Sequence, residues 1–141
     1  MFVVLDTNHF SELVHDTTLG ARLKRRFTER KAEVFTTIVT AQEVSEGWTA
    51  FIRKQKAGSD KQVHGYRQFQ HSLDMLMELS MLAFDETAAA IFRTLRKTVP
   101  RTGSQDLKIA AIALAHDATV LTRNLVDFEQ VLGLRAENWL D

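Results

Sequence analysis

The most informative stretch of the sequence is Leu107-Lys108-Ile109-Ala110-Ala111-Ile112-Ala113-Leu114-Ala115, which is followed shortly by Ala118-Thr119-Val120-Leu121-Thr122. The first segment has apolar residues on almost every face of a helix, a pattern typical of a helix that is buried on all sides. The second is a short, continuous apolar run that predicts a strand covered on both faces. Together they indicate a parallel sheet wrapped by helices.

Earlier segments share the character of this strand, because they are short and apolar without alternation. They are Phe2-Val3-Val4-Leu5, Val34-Phe35-Thr36-Thr37 and, more weakly, Leu79-Ser80-Met81-Leu82-Ala83. Apolar residues at helical spacing predict helices between these strands. The longer helices cover about residues 18–31, 41–57, 60–78, 86–98 and 105–117, and short ones follow Asn8 and lie near residues 125–131. No repeat, low-complexity tract or linker interrupts the chain, so we expect a single domain over residues 1–141.

Composition excludes several classes of protein. The 141 residues include no cysteine, which excludes thiol catalysis, disulfide scaffolds and cysteine-ligated metal sites. No segment approaches the ~18 apolar residues of a membrane span, and the apolar start at Met1–Leu5 is too short for a signal sequence. We therefore expect a cytoplasmic protein without a membrane partner.

The charges balance over the whole chain but not within it. The 18 Lys and Arg residues equal the 18 Asp and Glu residues, which argues against a strongly basic nucleic-acid binder. Residues 1–70, however, carry 11 basic and 8 acidic residues, against 7 and 10 in residues 71–141. The basic excess lies mainly in two runs, Arg22–Lys31 and Arg53–Arg67, which are either solvated helix faces or sites for phosphate.

Four acidic residues occupy equivalent positions relative to the predicted strands. Asp6 follows the first strand, Glu43 follows the second, Asp106 opens the buried helix and Asp127 comes after the last strand. The carboxyl ends of parallel strands form the crevice where open α/β sheets bind ligands. We therefore expect these carboxylates, which are scattered in sequence, to converge in space.

Each of these acids also has a purely structural interpretation. Thr40-Ala41-Gln42-Glu43 has the pattern of a capping box, and a negative charge at Asp106 favours the helix dipole. Asp6 fits a helix N-cap, and Asn124 with Asp127 could cap the last short helix. The recurrence of acids at one edge of one sheet is what favours a functional site over a set of unrelated caps.

A cluster of carboxylates can support a specific chemistry. Carboxylates ~4–8 Å apart repel one another by an energy of order 1 kcal/mol per pair, so protons or cations must compensate them. Oxygen ligands without cysteine favour Mg²⁺ or Mn²⁺ over zinc. Such ions can activate water and stabilise the in-line transition state of phosphodiester hydrolysis. The pattern therefore indicates a nuclease.

Four sequence blocks in this order and spacing resemble the PIN domain, and more narrowly the VapC toxins of bacterial type II toxin–antitoxin systems. The blocks are Leu5-Asp6-Thr7-Asn8, Thr37-Ile38-Val39-Thr40-Ala41-Gln42-Glu43-Val44, Asp106-Leu107-Lys108-Ile109-Ala110-Ala111-Ile112-Ala113, and Leu121-Thr122-Arg123-Asn124-Leu125-Val126-Asp127-Phe128 with Gly133-Leu134 and Asn138-Trp139 after it. The resemblance covers essentially the whole chain. It implies a three-layer α/β/α fold with a central, mostly parallel sheet of four to five strands.

The resemblance also implies a site. Asp6 and Asp106 would bind Mg²⁺ or Mn²⁺, and Glu43 would complete the cluster. Asn124 stands where relatives often have a fourth acid, so a second metal site is in doubt, and Asp127 could substitute for it in catalysis or simply pack. The polar neighbours that would orient carboxylates or water are Thr7, Asn8, Ser104 and Thr122.

The implied activity is that of a metal-dependent endoribonuclease that hydrolyses RNA phosphodiester bonds, with transfer RNA among the substrates of the family. Similarity further implies a homodimer and a VapB-like antitoxin, which alone would contact DNA. The antitoxin would lay an amphipathic segment in a groove between residues 8–20 and 41–78. The apolar residues expected to receive it are Phe10, Leu13, Trp48 and Phe51.

Two other interpretations fit parts of the sequence. A receiver-like signalling module would need adjacent acids after the first strand and a lysine near the last one, and Leu5-Asp6-Thr7 and Leu121-Thr122-Arg123 supply neither. A catalytically weak PIN-like scaffold that binds RNA or a partner is favoured by Asn124.

Overall fold

The computed structural model describes all residues from Met1 to Asp141. The strands are β1 (Phe2–Leu5), β2 (Glu33–Thr37), β3 (Ser80–Leu82), β4 (Thr119–Leu121) and β5 (Arg135–Glu137). The helices are α1 (Thr7–Val14), α2 (Thr18–Glu29), α3 (Ile38–Lys54), α4 (Asp60–Glu78), α5 (Glu86–Thr98), α6 (Ser104–Ala115) and α7 (Leu125–Glu129). None of these helices has the length and apolar character needed to cross a membrane.

The five strands form one sheet in the order β3-β2-β1-β4-β5, and every neighbouring pair is parallel. Val3 of β1 pairs with Val34 on one side and with Thr119 on the other. The chain therefore adds β2 and β3 on one side of β1 and then returns to add β4 and β5 on the other side. A reversal of strand order of this kind opens a crevice at the carboxyl ends of β1 and β4.

Helices cover both faces of the sheet, and alternate residues of β1 accordingly pack in two different cores. Val4 packs in a core with the buried face of α6, whereas Val3 and Leu5 pack with Phe10 of α1 and residues of α2 and α4. The predicted α/β class with three layers is thus confirmed, and the mostly parallel sheet is fully parallel.

Helix α6 confirms the pattern from which its burial was predicted. Leu107 and the run Ile109–Ala113 are completely buried. Small alanines let α5 and the sheet approach α6 closely, while leucine and isoleucine fill the remaining volume. The first turn of α6, which carries Asp106, is consequently anchored to the densest part of the protein.

One local prediction was wrong, and one strand was not predicted. Helix α3 begins at Ile38 rather than near residue 41, and the hydroxyl of Thr37 caps it by accepting a hydrogen bond from the backbone N–H of Thr40 at 3.0 Å. The block Thr40–Glu43 is therefore not a capping box, so Glu43 is available for other contacts. Strand β5 was not located from sequence, because Arg135-Ala136-Glu137 has only one apolar residue.

Candidate active site

Asp6 lies at the junction of β1 and α1 and is held from two sides. Its Oδ1 accepts a hydrogen bond from the backbone N–H of Thr7, and its Oδ2 accepts one from the hydroxyl of Thr122, both at 2.8 Å. Only 7% of the residue is exposed. Asp6 is therefore both the N-cap of α1 and an oriented carboxylate, so its structural and functional interpretations are compatible.

Thr122 links this carboxylate to the end of β4. The backbone N–H of Asp6 donates to the carbonyl of Leu121, which continues the ladder between β1 and β4 by one residue. The hydroxyl of the buried Thr122 donates to Asp6 and accepts from the backbone N–H of Asn124 at 2.9 Å. The position of Asp6 is thus set by the sheet itself.

Glu43 approaches the site from the second turn of α3. Its Oε2 lies 3.5 Å from the hydroxyl of Thr7, at the limit of a hydrogen bond. Its Oε1 is buried and has no hydrogen-bond partner in the protein. A buried carboxylate oxygen without a donor is costly, which makes Glu43 the member of the cluster that most needs a proton or a cation.

Asp106 and Asp127 share one donor. The amide nitrogen of Asn124 donates to Oδ2 of Asp106 at 3.1 Å and to Oδ2 of Asp127 at 2.8 Å. Asn124 does not cap α7 with its side chain. Asn124 is therefore a neutral bridge between two carboxylates.

The ionised forms of three of these acids are disfavoured. Burial raises the pKa of Asp6, although its two hydrogen bonds lower it in part. Burial also raises the pKa values of Glu43 and Asp106, and the charge of Asp6 raises both further. The charge of Asp127 also raises the pKa of Asp106, and the charge of Asp106 raises the pKa of Glu43. Asp6 is thus near enough to Glu43 and Asp106 for its charge to act on both, and Asp127 is joined to Asp106 through Asn124.

The donor set suits a hard divalent cation, with one qualification. The available ligands are carboxylate oxygens, and the unpartnered Oε1 of Glu43 is one of them. No group of three or more His, Asp or Glu side chains is already arranged to hold an ion. Magnesium is commonly bound through one or two carboxylates with several waters retained, so the set still fits it.

Not every predicted neighbour joins the cluster. Thr7 and Thr122 contact the carboxylates, but neither Asn8, which is exposed, nor Ser104, in the first turn of α6, forms a side-chain hydrogen bond. The expectation that these two orient the carboxylates is therefore not matched by a contact. The sequence alone could not distinguish the residues that contact the carboxylates from those that do not, because these contacts depend on how the strands and helices pack.

A groove of about 350 Å³ begins at Thr7 and Glu43 and runs between α1 and α3. Its walls include Phe10, Trp48 and Phe51, three of the four apolar residues expected there. Leu13 is buried in the core instead. His15 also lines the groove, and His64 contacts Trp48 from outside it. Neither contact was predicted, because these residues meet Trp48 only in the folded chain.

His9 is packed in the interior beside the groove. Its Nε2 accepts a hydrogen bond from the backbone N–H of Trp139 at 3.1 Å. Burial, reinforced by the charge of Arg123, lowers the pKa of His9 to about 4. A histidine engaged in this way fixes the C-terminal segment against α1.

The two basic runs have different environments. In the first run, the Arg26 guanidinium donates to the carbonyl of Trp139, Lys24 pairs with Asp16, and Arg30 lies 3.7 Å from a Glu137 carboxylate oxygen. The second run, Arg53–Arg67, forms no salt bridge, and its cationic side chains are exposed. Only the second run is therefore free along its whole length to meet phosphate.

Comparison with known proteins agrees with this architecture. The PIN-domain family model matches residues 3–132, so the chain belongs to the PIN-domain family. Over 87 residues the chain is 30% identical to Ribonuclease VapC2 of Haemophilus influenzae, an alignment that covers 59% of this chain and 66% of the relative. The alignment thus spans just under two thirds of that relative.

Solved structures resemble the whole chain. DNA-bound VapBC from Salmonella typhimurium contains a chain with a TM-score of 0.77 and 24% identity, with 99% of this chain and 98% of that chain covered. FitAcB from Neisseria gonorrhoeae gives a TM-score of 0.70 and 25% identity, with 97% of each chain covered. These similarities support the fold found here over essentially its full length.

Proposed function

We propose that this chain is a metal-dependent endoribonuclease and the toxin of a VapBC-type toxin–antitoxin pair, acting as one domain in the cytoplasm. The observation that carries the proposal is the convergence of Asp6, Glu43 and Asp106 at the crevice between β1 and β4. A relative named a ribonuclease supports the same reaction class. The substrate class is RNA, with transfer RNA as one candidate.

Asp6, Asp106 and Glu43 are the residues that would hold Mg²⁺ or Mn²⁺. A divalent cation bound there would supply Lewis-acid stabilisation of charge on the phosphodiester and acidify a water molecule. It would also relieve the repulsion that raises the pKa values of Glu43 and Asp106. The neutral Asn124 adds no charge, so the donor set favours one cation over two.

The residues of the chain divide the remaining work. Asp6 is kept in one orientation by Thr7 and Thr122, which limits the reorganisation needed when substrate binds. The unpartnered Oε1 of Glu43 suits it to join Asp6 and Asp106 in holding the cation. Asn124 and Asp127 hold Asp106 at the mouth of α6.

The proposal includes a VapB-like antitoxin and a homodimer. The apolar groove that opens on Glu43 fits an amphipathic segment of such an antitoxin. An arginine on that segment would neutralise the carboxylates directly and so exclude substrate. Contact with DNA would then be indirect, through the antitoxin. Co-expression with the neighbouring reading frame and co-purification would test this partner.

The first test is cleavage of RNA by Asp6→Asn and Asp106→Asn proteins with Mg²⁺, Mn²⁺ or a chelator. Loss of a hydrogen-bonded neighbour of a metal ligand typically costs 10- to 100-fold in activity, so loss of a ligand should cost more than about 100-fold. Asp74→Asn, at an exposed acid of α4, is the matched control and should cleave normally. Retained cleavage by purified Asp6→Asn protein would contradict the proposal.

A second candidate function is a catalytically weak scaffold that binds RNA or a partner. The observation favouring it is the bridge made by Asn124, which donates to Asp106 and Asp127 but adds no charge for a second cation. RNA binding without cleavage at every Mg²⁺ and Mn²⁺ concentration would select this alternative.

A further inference from the structure

Four rings meet at the end of the groove that lies away from the carboxylates. The indole of Trp48 lies 5.7 Å from Phe51, 6.3 Å from His15 and 6.4 Å from His64, measured between ring centroids. All three neighbours are steeply inclined to the indole, at 65–80°. No ring is therefore stacked parallel to Trp48.

These rings are only partly covered. Trp48 and Phe51 are half-buried, and His15 and His64 are exposed. The ring of Phe51 packs closely against α4 at Gly65, where an added Cβ atom would lie only 2.8 Å from the ring. The result is a firmly supported aromatic surface that still faces solvent.

The ring cluster is continuous with the candidate active site. The same groove is lined by Thr7 and Glu43 at one end and by Trp48 and Phe51 at the other. Glu43 and Trp48 are five residues apart in α3, which is about 7.5 Å along the helix axis. Gly47 lies between them, and a Cβ atom added there would meet nothing within 4 Å. Open space therefore connects the carboxylates to the rings.

Positive charge lies beyond the rings. Arg53 and Lys54 follow Phe51 in the last turn of α3, and both are exposed and form no salt bridge. The groove thus joins carboxylates to aromatic and imidazole rings, and free cations follow the rings at the end of α3. An RNA strand has a phosphate backbone and flat bases, and it matches this order of charges and rings.

We propose that Trp48, with Phe51, His15 and His64 around it, is a stacking subsite for an unpaired base of the RNA, one or two nucleotides from the cleaved bond. This inference rests on the proposed function, because it assumes that RNA enters the groove. Stacking on aromatic side chains tolerates any base but requires that the base be unpaired. The subsite therefore selects single-stranded or looped RNA. It also means that substrate and antitoxin compete for the same rings.

The test is binding of a single-stranded RNA oligonucleotide that carries 2-aminopurine, measured in chelator so that cleavage does not interfere. Trp48→Ala should weaken binding about ten-fold and abolish the quenching of 2-aminopurine that stacking causes. Trp48→Phe should restore most of both. Tyr66→Ala is the matched control, because Tyr66 is an exposed aromatic residue of α4 that does not line the groove.

A second pair of variants changes the groove without removing a ring. Gly47→Leu places a side chain in the open space and should weaken RNA binding about as much as Trp48→Ala. Gly47→Ala should bind normally, and both replacements favour the helix. An oligonucleotide with an abasic residue at the stacking position should bind wild type and Trp48→Ala equally, which a general defect in folding would not produce.

Unchanged RNA binding and quenching in Trp48→Ala, with cleavage intact, would overturn the subsite and leave the proposed function in place. If Trp48→Ala lost affinity for the antitoxin but not for RNA, the rings would belong to the antitoxin interface, and the RNA subsite would again be overturned. Quenching that depends on Trp48 in a protein that never cleaves RNA would support the subsite and contradict the proposed function.

Discussion

The two halves of the candidate site neutralise their carboxylates in different ways. Asp6 is buried, and each of its oxygens receives a separate donor at 2.8 Å. Asp106 is half-buried, and it shares the single amide of Asn124 with Asp127. The protein therefore compensates Asp6 through its own fold but leaves most of the charge of the Asp106 half without a donor. A cation would therefore compensate Asp106 more than it would compensate Asp6.

The difference follows from the elements that carry the two residues. Asp6 ends a central strand, so backbone and side-chain donors of β4 and α1 reach it at fixed positions. Asp106 lies in the first turn of α6, whose N-cap, Gly103, makes no side-chain capping bond. Only the positive end of the helix dipole and Asn124 favour its charge.

Among changes that leave the carboxylates in place, the largest effect is expected when the donor to Asp6 is removed. Thr122→Val keeps the shape of the side chain but deletes the hydroxyl that orients Asp6 and accepts from the backbone N–H of Asn124. We expect cleavage activity or Mg²⁺ affinity to fall about 10- to 100-fold. Both are measured by cleavage rate against Mg²⁺ concentration.

Two variants make this result specific to the hydroxyl. Thr122→Ser retains the donor and should recover most of the loss. Ser104→Ala removes a hydroxyl close to Asp106 that forms no hydrogen bond, and its activity should change less than about two-fold. Equal losses in Thr122→Val and Thr122→Ser would show that packing of the methyl group, rather than the donor, supports Asp6.

A smaller effect is expected when the other half loses its neutral bridge. Asn124→Asp replaces a shared donor by a third negative charge beside Asp106 and Asp127. Repulsion of order 1 kcal/mol per pair should lower the melting temperature in chelator by several degrees. Added Mg²⁺ or Mn²⁺ should restore more stability than it gives to the wild type. Calorimetric melting with and without the cation measures both, and a variant that melts like the wild type in chelator would mean that the two halves are equally compensated.

Much of the fold and part of this site were predictable because they depend on local pattern. The burial of α6 and the strands β1 and β4 follow from apolar residues that allow no solvated face. The convergence of Asp6, Glu43 and Asp106 follows from the rule that parallel strands end at one edge. These predictions needed only the positions of the residues within their own elements.

The remaining features depend on contacts between distant segments. Whether Thr122 or Ser104 reaches a carboxylate is decided by the pairing of β1 with β4. The bridge of Asn124 requires the first turn of α6 and the start of α7 to meet, and no periodicity encodes that distance. Strand β5 was missed for a related reason, since it is defined only by its pairing with β4.

The smallest effect is expected in the pH dependence of stability, which should show that the charge of Asp106 is not fully compensated. Burial and the charges of Asp6 and Asp127 raise the pKa of Asp106 above its ordinary 3.8, so the folded protein binds this proton more tightly than the unfolded chain. The stability gained from protonation is fully present below the ordinary pKa and is lost as pH rises through the raised one. Without cation, ionised Asp106 therefore destabilises the fold at neutral pH.

Asp106→Asn removes that charge and should raise the melting temperature at pH 7 in chelator by about 2–4 °C, a change on the order of 1 kcal/mol. The gain should shrink as pH falls through the raised pKa of the wild-type carboxyl, where that group takes up its proton. Asp74→Asn, at an exposed acid, is the control and should melt like the wild type in chelator at pH 7. In Mg²⁺ the order should reverse, because only the wild type gains the cation. An Asp106→Asn protein that melts below the wild type in chelator at pH 7 would show that Asn124 and the helix dipole already offset the charge, and the contrast between the two halves would then disappear.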